Sequence, residues 1–365
     1  MRIAVDIRPL LEKNRAGVSL YTLNLLQELA KNGAHEYALF CNSSRGNFPV
    51  DVPRGSTVSN HFSRYPNRLL NASFAFLHWP RLETLTAGAD LVYLPNLNFV
   101  ATGRPLVTTV HDLSFIRYPE YFSAKQRLWH RAINAERMIR RSSAVVAVSE
   151  HTKDDIMELY DLPAERIHVV SPAVGPEYFC RPPHEQTAVR EKYNLPTKFI
   201  LFLGMLEPRK NVTGLIEAFN QLDDDTDLVI AGSPGWKFRQ IFAAADRSPK
   251  RKRIKFIGYV DETDKPALYS SAWAFAYPSH YEGFGMPVLE AMACGTPVVA
   301  SHTSSLGEMV ADAGLLVNPG KPDEIAFALQ SLQDQRLHDR LHQSGIWRAQ
   351  QFTWQKSARA LENIF

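Results

Sequence analysis

Residues 272–301 read "AWAFAYPSHYEGFGMPVLEAMACGTPVVAS". The stretch opens on a short apolar run, bends at Gly283 and Gly285, enters a helical pattern at Pro287 and ends in a second β-rich run, "PVVAS". Glycine permits the tight bend, and proline suits a first helical position because its missing N–H would be unpaired there anyway. Strand, helix, strand is the unit that parallel sheets require, since parallel neighbours cannot be joined by a hairpin. The same alternation fills the chain. Candidate strands in the first half are "RIAVDI", "EYALFC", "ADLVYLP", "LVTTVHD", "SAVVAVS" and "IHVVSPA"; in the second they are "FILFLG", "DLVIAG", "IKFIGYV", "AWAFAYPS", "PVVAS" and "GLLVNP". Amphipathic stretches such as "GVSLYTLNLLQELAKNG" and "NVTGLIEAFNQL" lie between them. The predicted fold class is therefore α/β, with two Rossmann-like, doubly wound parallel-sheet domains facing a cleft.

A chain of 365 residues is too long for one ordinary core. The proline- and charge-rich stretch around 179–196 reads as a linker between a first domain, 1–178, and a second, 197–349. The tail from about residue 350 to 365, "QQFTWQKSARALENIF", has helical periodicity and is expected to dock back on the first domain. Hydrophobic residues at 45% and charged residues at 22% describe a globular protein. A net charge of +3 is too small for a nucleic-acid footprint. Cys41, Cys180 and Cys294 are odd in number and far apart, so they form no disulfide framework and point to a reducing cytoplasm. No signal-peptide core opens the chain and no apolar run is long enough to span a bilayer.

In doubly wound sheets ligands gather at the carboxyl ends of strands, so the chemistry is sought in those loops. Glu282 precedes the glycine bend and Glu290 lies about one turn into the helix beyond it. An ionised carboxylate only accepts, and it takes hydroxyl donors such as those of a sugar or ribose. Between the two acids the backbone amides and dipole of a helix start suit an anion. On these residues alone two readings stay open: acids favoured near a helix start, or a grip on a ligand bearing both hydroxyls and phosphate. The stretch "FILFLGMLEPRKNVTGLIEAF" places Arg209 and Lys210 just before a second helix that Asn211 can cap, a position suited to a diphosphate.

Together, "EGFGMPVLE" with "ACGTPVVAS" resembles the donor-site signature of the retaining glycosyltransferases of family 4, which have the GT-B fold, and "GMLEPRKN" is similar to that family's phosphate-binding segment. The resemblance implies that Glu290 binds the ribose hydroxyls of a donor nucleotide and that Glu282 binds the transferred sugar. It implies that backbone amides at Phe284, Gly285 and Met286 lie near the sugar and phosphates, that Arg209 and Lys210 stabilise the diphosphate leaving group, and that Gly258 and Tyr259 border the base. Met205 stands where many relatives carry arginine, and Arg209 would take over that charge. "NRAGVSLYTLNLL" resembles the family's first glycine loop, reduced here to Ala16-Gly17, with Gly17 near the donor phosphates. In "VTTVHDLSF" the histidine matching His111 contacts the transferred sugar in relatives. Asp112 beside it, Glu150 after the next strand, and Arg64 and Arg68 are candidates for the acceptor side.

The resemblance implies a metal-independent hexosyltransferase with no cofactor, GDP-mannose as the first donor to test, and a glycan or lipid-linked saccharide of surface polysaccharide synthesis as acceptor. A nucleotide-sugar epimerase or hydrolase and a non-catalytic nucleotide-sugar binder are the competing functions. The run "DDDTD" at 223–227 invites a metal, but it precedes a strand at its entry end and is expected to be a solvated turn. Residues 61–81 mix aromatics with Arg64, Arg68 and Arg81 and hold no acid, a composition that suits an acceptor, the inner face of a membrane, or the basic outer face of an ordinary helix.

Overall fold

The computed structural model describes residues 1–11, 17–44, 48–49 and 51–365. Contacts divide the chain into two compact units. The first comprises Met1–Phe115, Ala124–Pro172 and Thr353–Phe365; the second comprises Ile116–Ser123 and Ala173–Phe352.

The first unit holds strands β1 (Arg2–Asp6), β2 (Glu36–Asn42), β3 (Val58–Ser63), β4 (Leu91–Leu94), β5 (Leu106–Val110), β6 (Ala144–Ala147) and β7 (Ile167–Val169). Among the described residues they form one sheet in the order β3-β2-β1-β4-β5-β6-β7, with every pair parallel. The second unit holds β8 (Phe199–Leu203), β9 (Asp227–Ala231), β10 (Ile254–Gly258), β11 (Ala274–Tyr277), β12 (Val298–Ser301) and β13 (Leu315–Val317). Their order is β10-β9-β8-β11-β12-β13, again all parallel. Central strands such as β8, FILFL, are buried at every position. Helices on both faces of a parallel sheet demand such unbroken apolar runs, which is why these strands stand out in the sequence.

One strand departs from expectation. Val58–Ser63, "VSNHFS", was not among the candidate strands, yet it pairs with β2 from Tyr37↔Val58 to Asn42↔Ser63. It is an edge strand, half-buried and polar, so neither alternation nor an apolar run marks it. The sequence marks the stretch 179–196 as a linker. It lies within the second unit and contains the helix Pro183–Lys192. That helix buries Val189, and Arg190 Nη2 donates to the Ser271 carbonyl at 3.0 Å; just before it, Arg181 N donates to Ser270 Oγ at 3.0 Å. With so little apolar surface it carries no periodicity to read. The main body of the second unit begins at Ala173, directly after Pro172 of the first.

The carboxyl-terminal helix Trp354–Glu362 belongs to the first unit. Thr353 caps it by accepting from Lys356 N, and it lies along the helix Val18–Asn32. Ser357 Oγ donates to the Ser171 carbonyl at 2.6 Å and Trp354 meets Tyr21 edge-on at 5.8 Å. "DDDTD" is a turn: Asp224 accepts from Thr226 N and Oγ1 at 3.1 and 2.9 Å, and Asp227, the first residue of β9, pairs with Arg253 at 3.0 Å. Among the described residues no helix is long and apolar enough to cross a membrane, and no three side chains are grouped to hold a metal ion.

Candidate active site

In the second sheet the direction of strand progression reverses between β8 and β11. Loops leaving two such strands at their carboxyl ends part to opposite faces and leave a crevice, the place where doubly wound sheets bind ligands. The loop after β8 carries a 3₁₀ turn, Pro208–Lys210; the loop after β11 carries 278–285 and enters the helix Met286–Ala293. His280 N donates to the Arg209 carbonyl at 2.9 Å, stitching the two loops together. The end of β12 and the segment after it brace them: Ser301 Oγ donates to the Ser279 carbonyl at 2.6 Å, Ser304 Oγ accepts from Glu282 N at 2.9 Å, and Ser305 Oγ donates to the Glu282 carbonyl at 2.9 Å. Gly285 turns the chain at φ +100°, where a Cβ would lie 2.4 Å from Leu306 Cδ2, so no larger residue fits this bend without displacement.

Four charges meet there. Lys210 Nζ lies 2.6 Å from Glu282 Oε1 and donates to the Tyr277 hydroxyl at 2.6 Å. Arg209 places Nη1 3.0 Å from Glu282 Oε2 and 2.6 Å from the Tyr281 carbonyl, and its Nη2 2.8 Å from Glu207 Oε1. All four charged side chains are at least mostly buried, Glu207 being 1% exposed and Lys210 8%. Two cations and two carboxylates balance one another in formal charge. Burial pushes the Glu282 carboxyl up, but Arg209 and Lys210 together outweigh it and hold the group at about 2. Burial pulls the Lys210 ammonium below its ordinary value, Glu282 restores only part, and Arg209 adds to the fall. The asymmetry follows from the contacts: the carboxylate meets two cations, whereas the ammonium meets one carboxylate and a like charge. Burial carries Glu207 above its ordinary value despite Arg209 and Lys210. Its Oε2 is buried and has no hydrogen-bond partner among the described residues.

The structure therefore brings Glu282, Arg209 and Lys210 into direct contact. Glu290 has a different set of partners. It lies in the interior of the helix Met286–Ala293, whose first turn holds no acid, so preference for a helix start explains neither glutamate. Glu290 Oε2 accepts from the Tyr269 hydroxyl at 2.8 Å. Burial raises its pKa, with nearby Lys265 offsetting part of the rise. Burial works against the Lys265 charge, but Glu290 and Glu262 prevail and hold it above its ordinary value. Gly258 ends β10 and Tyr259 follows it, 49% exposed. Gly285, at the N-cap of the helix Met286–Ala293, has no side chain to cap it; Phe284 just before it is buried against Phe352, ring centroids 5.6 Å apart. Asn211 stands at the N-cap position of the helix Val212–Asn220, as expected, but its side chain makes no capping bond; its Nδ2 donates instead to the Pro319 carbonyl at 2.7 Å.

The remaining predicted residues sit in the first unit. Gly17 precedes the helix Val18–Asn32 and, having no side chain, offers it no side-chain cap; Ala16 lies outside the described residues. His111 follows β5, its Nε2 2.8 Å from the Pro95 carbonyl and its ring 4.9 Å from Tyr21. Burial lowers its pKa, so the ring is neutral near pH 7, with Nε2 as the donor to Pro95 and Nδ1 the acceptor. Asp112 accepts from Ser114 N and Oγ at 3.0 and 2.6 Å, which makes it a turn cap. Glu150 is exposed, one residue after Ser149, which accepts from Thr152 N at 3.0 Å. Arg64 lies over the Phe62 ring at 5.8 Å, and Arg68 is exposed on the helix Asn67–Ala72.

Sequence reasoning missed Glu207, Tyr277, Lys265 and Tyr269. The acid of "EPRK" beside two cations was a signal for Glu207. Nothing local marks the others, which arrive from separate segments.

Residues 15–178 match the model of the Glycosyltransferase Family 4 domain, and residues 185–348 match Glycosyl transferases group 1. O-antigen chain mannosyltransferase B of Escherichia coli is 34% identical over 370 residues, covering 96% of this chain and 95% of that protein. Sucrose-phosphate synthase from Thermosynechococcus elongatus shares the fold with a TM-score of 0.79 at 22% identity, over 100% of this chain and 98% of that one. Anabaena HepE, solved in complex with UDP and glucose, gives 0.75 at 20% identity, over 100% and 99% of the two chains. The two parallel-sheet units are those of the GT-B fold, and the chain belongs to the group 1 glycosyltransferases with a family 4 amino-terminal domain.

Proposed function

We propose that the protein transfers a hexose, mannose in the first instance, from a nucleoside-diphosphate sugar to a glycan or lipid-linked saccharide, with retention of anomeric configuration and without a metal. The observation that carries this reading is the neutral cluster of Arg209, Lys210, Glu207 and Glu282 where the strand order reverses. A donor diphosphate can replace Glu282 as the anion facing both cations. The displaced carboxylate is then free to accept from hydroxyls of the sugar, and the uncapped helix start at Met286 adds amide donors. Glu290, with Tyr269 and Lys265 beside it, suits the ribose diol.

In the transfer the bond from the anomeric carbon to the phosphate oxygen breaks, and a bond to the acceptor oxygen forms on the same face of the ring. The acceptor proton passes to the departing phosphate oxygen, whose developing charge Arg209 and Lys210 stabilise in a buried setting. Fixed cations so placed do the work a divalent ion performs in metal-dependent transferases. We assign the acceptor to the first unit, near His111, Asp112 and Glu150, with Arg64 and Arg68 as further contacts. The relative from Escherichia coli, a mannosyltransferase of O-antigen chains, supports mannose and a surface glycan. The setting proposed is cytoplasmic, with the inner face of a membrane as a peripheral partner.

The test is transfer from GDP-mannose to mannose-terminated oligosaccharides with excess chelator present, the anomeric configuration of product being read by NMR. Product of retained configuration is expected. Inverted product, chelator-sensitive turnover, or consumption of donor at equal rates without acceptor would each overturn part of the reading, the last in favour of a hydrolase or epimerase.

A further inference from the structure

The chain leaves the first unit after Phe115 and rejoins it at Ala124, yet the segment between, "IRYPEYFS" at 116–123, belongs to the second unit. Its 3₁₀ turn, Pro119–Tyr121, buries no residue. Rings and backbone bonds hold the segment instead. Tyr121 stacks on His280 with centroids 5.7 Å apart, Tyr118 packs on Tyr281 at 5.6 Å, and the two tyrosines stack on each other at 5.7 Å. On its other flank Phe122 stacks on Trp236 at 5.8 Å. Trp236 Nε1 donates to the Tyr121 carbonyl, and Lys237 Nζ donates to the Glu120 carbonyl at 2.6 Å.

The surfaces so gripped are the two neighbours of the loop after β8. His280 N donates to the Arg209 carbonyl at 2.9 Å, and the Tyr281 carbonyl accepts from Arg209 Nη1 at 2.6 Å. Residues 280 and 281 therefore hold both the backbone and the guanidinium of Arg209, and Glu282 follows them directly. Trp236 stands in the loop after β9. There Leu206 N donates to the Ser233 carbonyl and Gly235 N to the Leu206 carbonyl, each at 3.0 Å, immediately before Glu207. The loop that carries Glu207, Arg209 and Lys210 is thus clasped from two sides, and one aromatic segment spans both.

We infer that Tyr118 and Tyr121 are positioning residues of the donor site. Their rings fix His280 and Tyr281, and through them Arg209 and Glu282, in the arrangement that receives a diphosphate. Charges held in place beforehand need no reorganisation when the ligand arrives or when its leaving oxygen gains charge. The inference rests on the transferase reading above and adds to it two residues from the amino-terminal half of the chain, neither of which touches the ligand.

The test titrates whichever of GDP, UDP and ADP binds the native chain most tightly, and the matching monophosphate, into Tyr118→Ala with Tyr121→Ala. Diphosphate affinity should fall by roughly tenfold or more as two aromatic contacts are lost. Monophosphate affinity should fall much less, and the acceptor KM should stay unchanged while kcat drops. Tyr118→Phe with Tyr121→Phe should restore native values, because the rings make the contacts. A double-mutant cycle supplies a readout that a merely structural role would not move: with Arg209→Ala already present, removing both rings should cost little more. All titrations are run where circular dichroism shows the variants folded. Both tyrosines are only half-buried, and Tyr121→Ala alone carries the same comparison should the double variant not fold. Native diphosphate affinity in the alanine variants, equal losses for diphosphate and monophosphate, or effects that multiply with Arg209→Ala overturn the inference and leave the transferase reading standing. A native chain that binds none of the three nucleotides overturns both.

Discussion

Glu282 faces two cations across 2.6 and 3.0 Å, and this pairing has consequences that can be measured. The carboxylate and a donor diphosphate compete for the same charges. Glu282→Gln is therefore expected to bind a bare nucleoside diphosphate as tightly as the native chain or more so, while turnover falls by roughly a hundredfold or more. Isothermal titration beside initial rates checks this; parallel loss of affinity and rate would show that Glu282 serves only to hold the loop. The acid stability of the second unit provides a second check. The Glu282 pKa falls from an ordinary 4.5 to about 2, so its contribution is present above 4.5 and is lost as pH drops through the interval to about 2. The full effect is on the order of 3 kcal/mol. Urea unfolding at a series of pH values should show this slope in the native chain and its absence in Glu282→Gln. Lys210, Arg209 and Glu282 were legible because each stands in a short motif at a strand end. Glu207 was passed over although it lies in the same motif, because its grip on Arg209 is a matter of side-chain direction.

At the scale of elements, the loops after β8 and β11 and the helix Met286–Ala293 behave as one assembly, held by His280, Ser304 and Ser305. Gly285 is its pivot. Gly285→Ala puts a methyl group against Leu306 at a positive φ, and a cost of about 1–3 kcal/mol is expected. The prediction separates from simple destabilisation: nucleotide affinity should drop at temperatures where the variant is fully folded, measured by titration well below its melting point. Unchanged affinity would mean that the bend does not position the ligand. The edge strand β3 and the helix Pro183–Lys192 were illegible for a shared reason. Each is polar and each owes its place to neighbours, β2 in one case and the segment ending at Ser271 in the other.

At the scale of the whole molecule, two units with separate cores suggest two unfolding transitions, only one of which a donor nucleotide should shift. Scanning calorimetry with GDP, UDP and ADP and no metal added is expected to raise the transition of the second unit by mass action, GDP most strongly. A ligand at one hundred times its dissociation constant contributes about 2.7 kcal/mol. Equal movement of both transitions, or none with any nucleotide, would argue against a donor site confined to the loops of the second sheet.

What the sequence determined alone was the α/β class, the two sheets, and the placement of two acids and two cations at strand ends, because strand, bend and helix are local and their periods survive in one dimension. What only the tertiary structure decided was which of those charges face one another. Lys210 and Glu282 are 72 residues apart, and their contact exists because β8 and β11 become neighbours where the strand order turns back. Spacing along the chain carries no record of that adjacency, nor of Glu290 turning instead toward Tyr269 and Lys265.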